Sequence, residues 1–371
     1  MKCEDIPNPA WVNQRSARFR WWLSFLLNAF ASIQVVWFYV SRVRAWLDMG
    51  AYESGQERMP FQQRLMMMAP MHWAQHSRGL HALADFLSSM RGWFPYGVRA
   101  EGLLQAVIDL FCLAVAGLVA RRIYQASSRT GLLMPFVYPL TALMVVVNYS
   151  YLTMHSYRFV YDFPALAFFA AGIYLIYFDY PAVVFAMLFL VGTVNRETTL
   201  LLLPLYAMAQ CIPGRDKSGK ESAIYWNRLW SRRTLQVVLP LVACWIGWHL
   251  WLVHHFALNP SAANPRLLLN LGVIACPLAW PQLISVCCYL WPFVFVYRHL
   301  IPDPMLRAWI WILPAWLAFM FYYGILIEIR IFGELIPLLA CTVMLIAEEI
   351  LLKKLGAVLP ASLPLSVVDS L

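Results

Sequence analysis

The chain has 371 residues, 61% of them hydrophobic and 13% charged, with 17 Trp, 16 Met and a mean hydropathy of +0.62. This composition excludes an ordinary soluble domain and a disordered chain, and marks a polytopic helical membrane protein. The net charge of +9 is what positive cytoplasmic loops and contact with anionic headgroups require, and it gives no support to nucleic-acid binding.

Apolar runs near the span length of about 20 residues lie at 21–40, 102–120, 132–151, 163–178, 181–194, 199–212, 235–256, 280–296, 308–325 and 332–352. The sequence therefore predicts an all-α integral membrane protein of about ten spans, with residues 1–371 forming one transmembrane domain. The first run has no small-residue cleavage site after it and continues into Ser41-Arg42-Val43-Arg44, so it reads as an uncleaved anchor.

Residues 41–101 form the one large loop on the non-cytoplasmic side. Within it, 61–73 (with Met66, Met67, Met68, Met71 and Trp73) and 80–90 (with Leu80, Leu83, Phe86, Leu87 and Met90, and Asp85 and Arg91 on the polar side) predict helices lying in the membrane interface. Ahead of them, Asp48, Glu53, Glu57 and Arg58 sit among helix-breaking Gly50, Gly55 and Pro60. Asp109 falls inside the second apolar run and Asn148 inside the third, positions where a polar group is costly and by default functional.

Three short breaks on the same side as the large loop carry charge. In the first, Tyr157 to Pro164, Asp162 is placed as a cap ahead of Pro164, and Arg158 with His155 is the better phosphate ligand. In the second, Asn195-Arg196-Glu197-Thr198, Arg196 has a carboxylate beside it and Thr198 can cap the following helix. In the third, Glu328 and Arg330 share a face if the turn is extended, whereas Arg330 and Glu334 pair if it is helical. Residues 213–234 form a basic cytoplasmic loop in which Trp226, Leu229 and Trp230 suggest a short surface helix. His249, His254 and His255 do not share a direction suited to a metal, and the tail after Gly356 predicts no fold of its own.

Most of the 28 basic residues then fall on the amino-terminal side, which is assigned as cytoplasmic with both termini on it. Every lysine lies there, and every base on the far side is an arginine, whose planar fork binds phosphate or carboxylate at two points. The eight cysteines lie mostly within spans, with Cys3 inside, so no far-side disulfide framework is predicted. No CxxC, HExxH, Walker loop or GxGxxG occurs; no cofactor is implied, and a divalent metal stays open.

A carboxylate just past the first span, followed by interfacial helices in the first outer loop, resembles the C-type membrane glycosyltransferases (GT-C). The stretch Pro60-Phe61-Gln62-Gln63-Arg64-Leu65, with Asn195 to Thr198 and Glu328 to Pro337, is similar to segments of bacterial membrane proteins from polysaccharide loci. The resemblance implies sugar transfer from a polyprenyl-phosphate donor to a lipid-linked glycan or surface polysaccharide, on the outer face of a bacterial inner membrane. Such a reaction needs a carboxylate base for the acceptor hydroxyl, for which Asp48, Glu53 and Glu57 are the candidates. It also needs cationic donors for the departing phosphate, here Arg58, Arg64, Arg158, Arg196 and Arg330, with Glu197 and Glu328 orienting them. Two other readings are a transporter or flippase of lipid-linked sugars keyed to Asp109, and an O-antigen-type polymerase acting through the arginines alone. A non-catalytic scaffold in a polysaccharide assembly complex is a third.

Overall fold

The computed structural model describes residues 10–43, 45–90, 98–151, 157–212, 225–261 and 265–358. Cys3, Arg91, His155, Arg215, Lys217, Lys220 and the tail from residue 359 lie outside them, as does most of the basic loop. All the regular structure described is helical.

The chain opens with α1 (Ala10–Arg42), a 33-residue helix and thus about 50 Å long, more than the hydrocarbon core requires. The loop after it holds α2 (Met49–Glu53), two 3₁₀ turns at Phe61–Gln63 and Leu65–Met67, then α3 (Met68–His76) and α4 (Arg78–Ser89). The expected helix over 61–73 therefore begins later, because Pro60 and the paired 3₁₀ turns delay it. α4 keeps Leu83 and Phe86 exposed on one face, as a helix lying in an interface requires.

The core is formed by α5 (Ala100–Ser127), α6 (Met134–Val146, ending in a π-helical turn at Val147–Tyr151) and α7 (Asp162–Tyr177). α5 packs against both of the others and against the last helix. α5 and α6 approach closely at Gly117, where a β-carbon would sit 2.4 Å from the Tyr138 ring. α8 (Ala182–Asn195), a 3₁₀ turn at Glu197–Leu201 and α9 (Leu202–Gln210) follow, then α10 (Arg232–His255). α10 is mostly uncovered, with Leu250, Trp251 and Val253 exposed, so it is the helix that offers most surface to lipid. α11 (Leu267–Ala275) and the segment through α12 (Trp280–Ile284) meet at a 91° bend. α13 (Leu290–Val296), α14 (Pro304–Trp309), α15 (Ile312–Tyr323), a 3₁₀ segment at Ile329–Leu335 and α16 (Ile336–Val358) complete the chain.

The protein is a multi-pass helical membrane protein. Among the described residues five helical segments are long and apolar enough to cross a bilayer: Trp22–Arg42, Ala100–Ser127, Arg232–His255, Pro304–Tyr323 and Ile329–Gly356. A sixth is added if the bent pair counts as one span. The predicted count of ten included α7, α8 and α9, which have 16, 14 and 9 residues and so reach about 24, 21 and 14 Å against a hydrocarbon core of about 30 Å. Hydropathy alone counts an apolar run whether it faces lipid or protein, and α7 is buried along most of its length by neighbouring helices.

The two ends of the bundle are tied by different chemistry. At one end the Glu348 carboxylate accepts from Tyr124 Oη at 2.6 Å, Ser128 Oγ at 2.7 Å and Thr130 N at 3.0 Å. There too Asp303 Oδ2 accepts from Tyr177 Oη at 2.7 Å. At the other end stand the three charged breaks and the first loop.

Candidate functional site

α7 begins where the chain leaves an irregular stretch, and its first residue, Asp162, is fully buried. The carboxylate does not cap its own helix, as the sequence suggests it would. Its Oδ1 accepts from Arg196 Nη1 at 3.3 Å and Arg330 Nη1 at 3.4 Å, and its Oδ2 from Tyr39 Oη at 3.2 Å. Two guanidinium charges outcompete backbone amides for this carboxylate.

Arg196 reaches Asp162 because the chain between α8 and the following 3₁₀ turn is extended at this residue, which turns the side chain inward. Its Nη1 lies 3.0 Å from Glu334, and Thr198 Oγ1 donates to the same Glu334 oxygen at 2.9 Å. Thr198 is thus tied across to another segment instead of capping a helix. Glu334 pairs with Arg196 and not with Arg330, because residues 329–335 are 3₁₀ and an i, i+4 pair does not face there. Arg330 pairs instead with Glu328 Oε2 at 2.6 Å, Glu328 standing just ahead of the 3₁₀ segment in non-helical backbone. Gly333 permits this packing, since a β-carbon there would lie 1.9 Å from the Tyr149 hydroxyl.

The first loop supplies the third arginine. Arg64 donates through Nη2 to Glu197 Oε1 at 2.7 Å and through Nε to Oε2 at 3.3 Å, a two-point pair. Its guanidinium lies 4.2 Å over the Tyr161 ring, and that of Arg330 lies 4.0 Å over Phe159, with those two rings 5.2 Å apart. The Tyr52 hydroxyl bonds to the Arg64 carbonyl and fixes the loop. Arg64, Arg196 and Arg330 are each buried, whereas the side chains of Glu197 and Glu328 keep 29% and 17% of their exposure. The two outward carboxylates are therefore the accessible edge of an otherwise closed network. Partial burial raises the Glu197 carboxyl, but the charge and hydrogen bond of Arg64, with Arg196 behind, outweigh it and hold it down at about 2.

Three guanidinium groups here face four carboxylates, so this is a neutralised network and not an open basic pocket. It still holds buried polar atoms without a hydrogen-bond partner among the described residues: Arg196 Nε, Arg330 Nε, Glu334 Oε2, Asn195 Oδ1 and the hydroxyls of Tyr149 and Tyr161. Such a concentration of unused capacity is rare in a finished core. Beside Glu197 is a crevice of about 10 Å³, room for about one water, lined by Gln63, Thr193, Trp245, Trp248, His249 and Leu252.

The other sequence candidates stand apart. Asp48 is exposed and uses Oδ1 to cap α2, accepting from Ala51 N at 3.2 Å. Glu57 is buried, and its two oxygens accept from the backbone of Asp48 at 3.0 Å and of Arg58 at 2.8 Å, so it organises the loop. Glu53 lies 3.3 Å from His72 Nδ1. Arg58 is exposed. Arg158 donates to the Val40 carbonyl and is not part of the network. Asp109 is fully buried in α5, and among the described residues neither of its oxygens makes a hydrogen bond of good geometry. Asn148 accepts from Cys287 N at 2.8 Å and donates to the Ile329 carbonyl at 3.4 Å, a packing role. Among the described residues no group of three His, Cys, Asp or Glu side chains has the arrangement of a metal site.

Sequence reading missed Tyr39 and Tyr52, aromatic residues that look like ordinary core or interface, and the crevice formed by Gln63 with Trp245 and Trp248. Only the density of Trp along α10 hinted at the last. No family model, curated protein or solved structure matches this chain.

Proposed function

We propose that the protein is a membrane glycosyltransferase that moves a sugar from a polyprenyl-phosphate donor to a lipid-linked glycan or surface polysaccharide. It acts at the non-cytoplasmic face of a bacterial inner membrane, with both termini cytoplasmic. The observation that carries the reading is the pairing of buried Arg64 and Arg330, over neighbouring aromatic rings, with carboxylates at the exposed edge. A guanidinium fork behind an exposed carboxylate suits a departing phosphate that displaces it. Arg196 serves as the buried post that holds Asp162 and Glu334 in place. Among the first-loop carboxylates Asp48 is the favoured base, because it is exposed and only its Oδ1 is engaged in capping α2. Glu57 is committed to backbone amides.

The test is sugar transfer in proteoliposomes from radiolabelled polyprenyl-phosphate sugars to extracted lipid-linked acceptors. Transfer by the wild type, lost in Arg64→Ala and Asp48→Asn while both remain folded, is the expected result. Transfer lost in the arginine variant alone would move the assignment to a polymerase-like reaction that needs no loop base.

One observation favours a second reading. Asp109 lies deep in α5, and among the described residues neither oxygen makes a hydrogen bond of good geometry, which suits the ion-coupling residue of a transporter or flippase. Asp109-dependent movement of labelled lipid across the bilayer, without transfer, would decide for it.

A further inference from the structure

The Arg64–Glu197 pair combines three features that the other ion pairs described in the network have at most in part. It joins two separate elements, the first loop and the break after α8, so either side chain can leave without unwinding a turn. The acid is partly exposed while the base is buried, so a solute reaches the pair from the carboxylate side. The backbone of Glu197 is anchored independently, since Trp245 Nε1 donates to its carbonyl at 3.1 Å, so the side chain can rotate while the main chain stays. Arg330 and Glu328, by contrast, lie two residues apart on one turn.

As it stands the crevice beside the pair has room for about one water, so an anion enters only in place of the Glu197 carboxylate that lines it. Trp248, which lines it, has a buried indole N–H with no acceptor among the described residues. Gln63 and His249 also line it, and the buried Arg64 fork is reached through the Glu197 carboxylate. Two parallel N–H donors accept a carboxylate or a phosphate with the same geometry. The crevice is walled by Trp245, Trp248, His249 and Leu252 of α10, the least covered of the candidate spans, so it lies about one helix width from lipid.

Resting on the transferase reading, we propose that Glu197 is an internal stand-in for the donor's phosphate. In the resting protein its carboxylate occupies the Arg64 fork; a lipid-linked phosphate displaces it and takes the fork together with the Trp248 N–H. The exchange keeps the buried guanidinium paired at every stage, which matters because an unpaired buried charge is strongly destabilising. It also makes Glu197 a selector, since only a ligand offering two anionic oxygens replaces it.

The experiment measures binding of radiolabelled polyprenyl phosphate to the full chain in nanodiscs, with inorganic phosphate and uncharged polyprenol as competitors. Removing the competing charge in Glu197→Gln is expected to tighten binding about tenfold, and Arg64→Lys to weaken it about tenfold. Trp248→Phe, which keeps the ring and removes the N–H, is expected to weaken it severalfold and stands in should the Glu197 variant not fold. Unchanged or weaker binding in a folded Glu197→Gln protein overturns the exchange, as does unaltered binding in Trp248→Phe if that variant carries the test. Competition by inorganic phosphate as strong as by polyprenyl phosphate overturns the lipid assignment. Sugar transfer retained alongside a failed exchange removes this inference alone. Tighter binding in Glu197→Gln without transfer from any donor supports the phosphate site and removes the transferase reading.

Discussion

Arg196 and Arg330 meet on a single oxygen, Oδ1 of Asp162, at 3.3 and 3.4 Å. The two arginines come from breaks far apart in the chain, and the acid opens a helix that both breaks pack against. Each residue is buried, so none of the three has water to fall back on.

Asp162→Asn should therefore destabilise the protein by about 3–5 kcal/mol, because both guanidinium charges lose their shared counter-ion in a buried setting. Thermal melting in detergent reads this directly. A melting temperature equal to that of the wild type would mean that Glu334 and Glu328 suffice and that the shared oxygen is incidental.

Gly333→Ala should also destabilise, by about 1–3 kcal/mol, since the added methyl would overlap the Tyr149 hydroxyl. Among the described residues that hydroxyl has no hydrogen-bond partner, so removing it costs little. The double variant with Tyr149→Phe should recover part of the loss, and a purely additive result in a double-mutant cycle would speak against the contact.

The pH dependence of the Arg64–Glu197 pair has a defined sign. The Glu197 carboxyl is lowered from 4.5 to about 2, so the pair's contribution is fully present above the unfolded value and disappears as pH falls through the folded one. The stability difference between wild type and Glu197→Gln should be constant near neutrality and shrink only below about pH 4.5. A difference that disappears at pH 6 would contradict the pair as drawn.

Asp48→Asn and Glu57→Gln separate the loop carboxylates. The first should lower transfer by about 10²–10⁴-fold with the melting temperature unchanged, as loss of a general base does. The second should lower melting temperature and activity together, because Glu57 holds the amides of Asp48 and Arg58. Equal effects on both quantities in both variants would leave the base elsewhere.

At the far end of the bundle, Glu348→Gln should cost about 1–3 kcal/mol, because Tyr124, Ser128 and Thr130 all donate to that carboxylate. Transfer per folded molecule should not change. Reduced specific activity would mean that the two ends of the bundle are coupled.

The sequence by itself determined the class of the protein and which segments carry its polar groups. Lipid tolerates few charges, so those that remain in short breaks stand out without any knowledge of the fold. It offered the Glu328–Arg330 pair only as one of two alternatives, the other being Arg330 with Glu334, and the backbone at residues 328–335 chose between them. What it did not contain was who pairs with whom across breaks. Arg196 has Glu197 next to it in the chain, yet the extended backbone at that residue sends the two side chains to different partners, Asp162 and Arg64. The helices that hydropathy counted as spans were decided by packing as well, because an apolar stretch such as α7 can satisfy itself against protein instead of lipid. Tertiary structure alone converted Asp162 from an expected helix cap into the shared counter-ion of two arginines, since burial makes that ion pairing more favourable than a cap that water could replace.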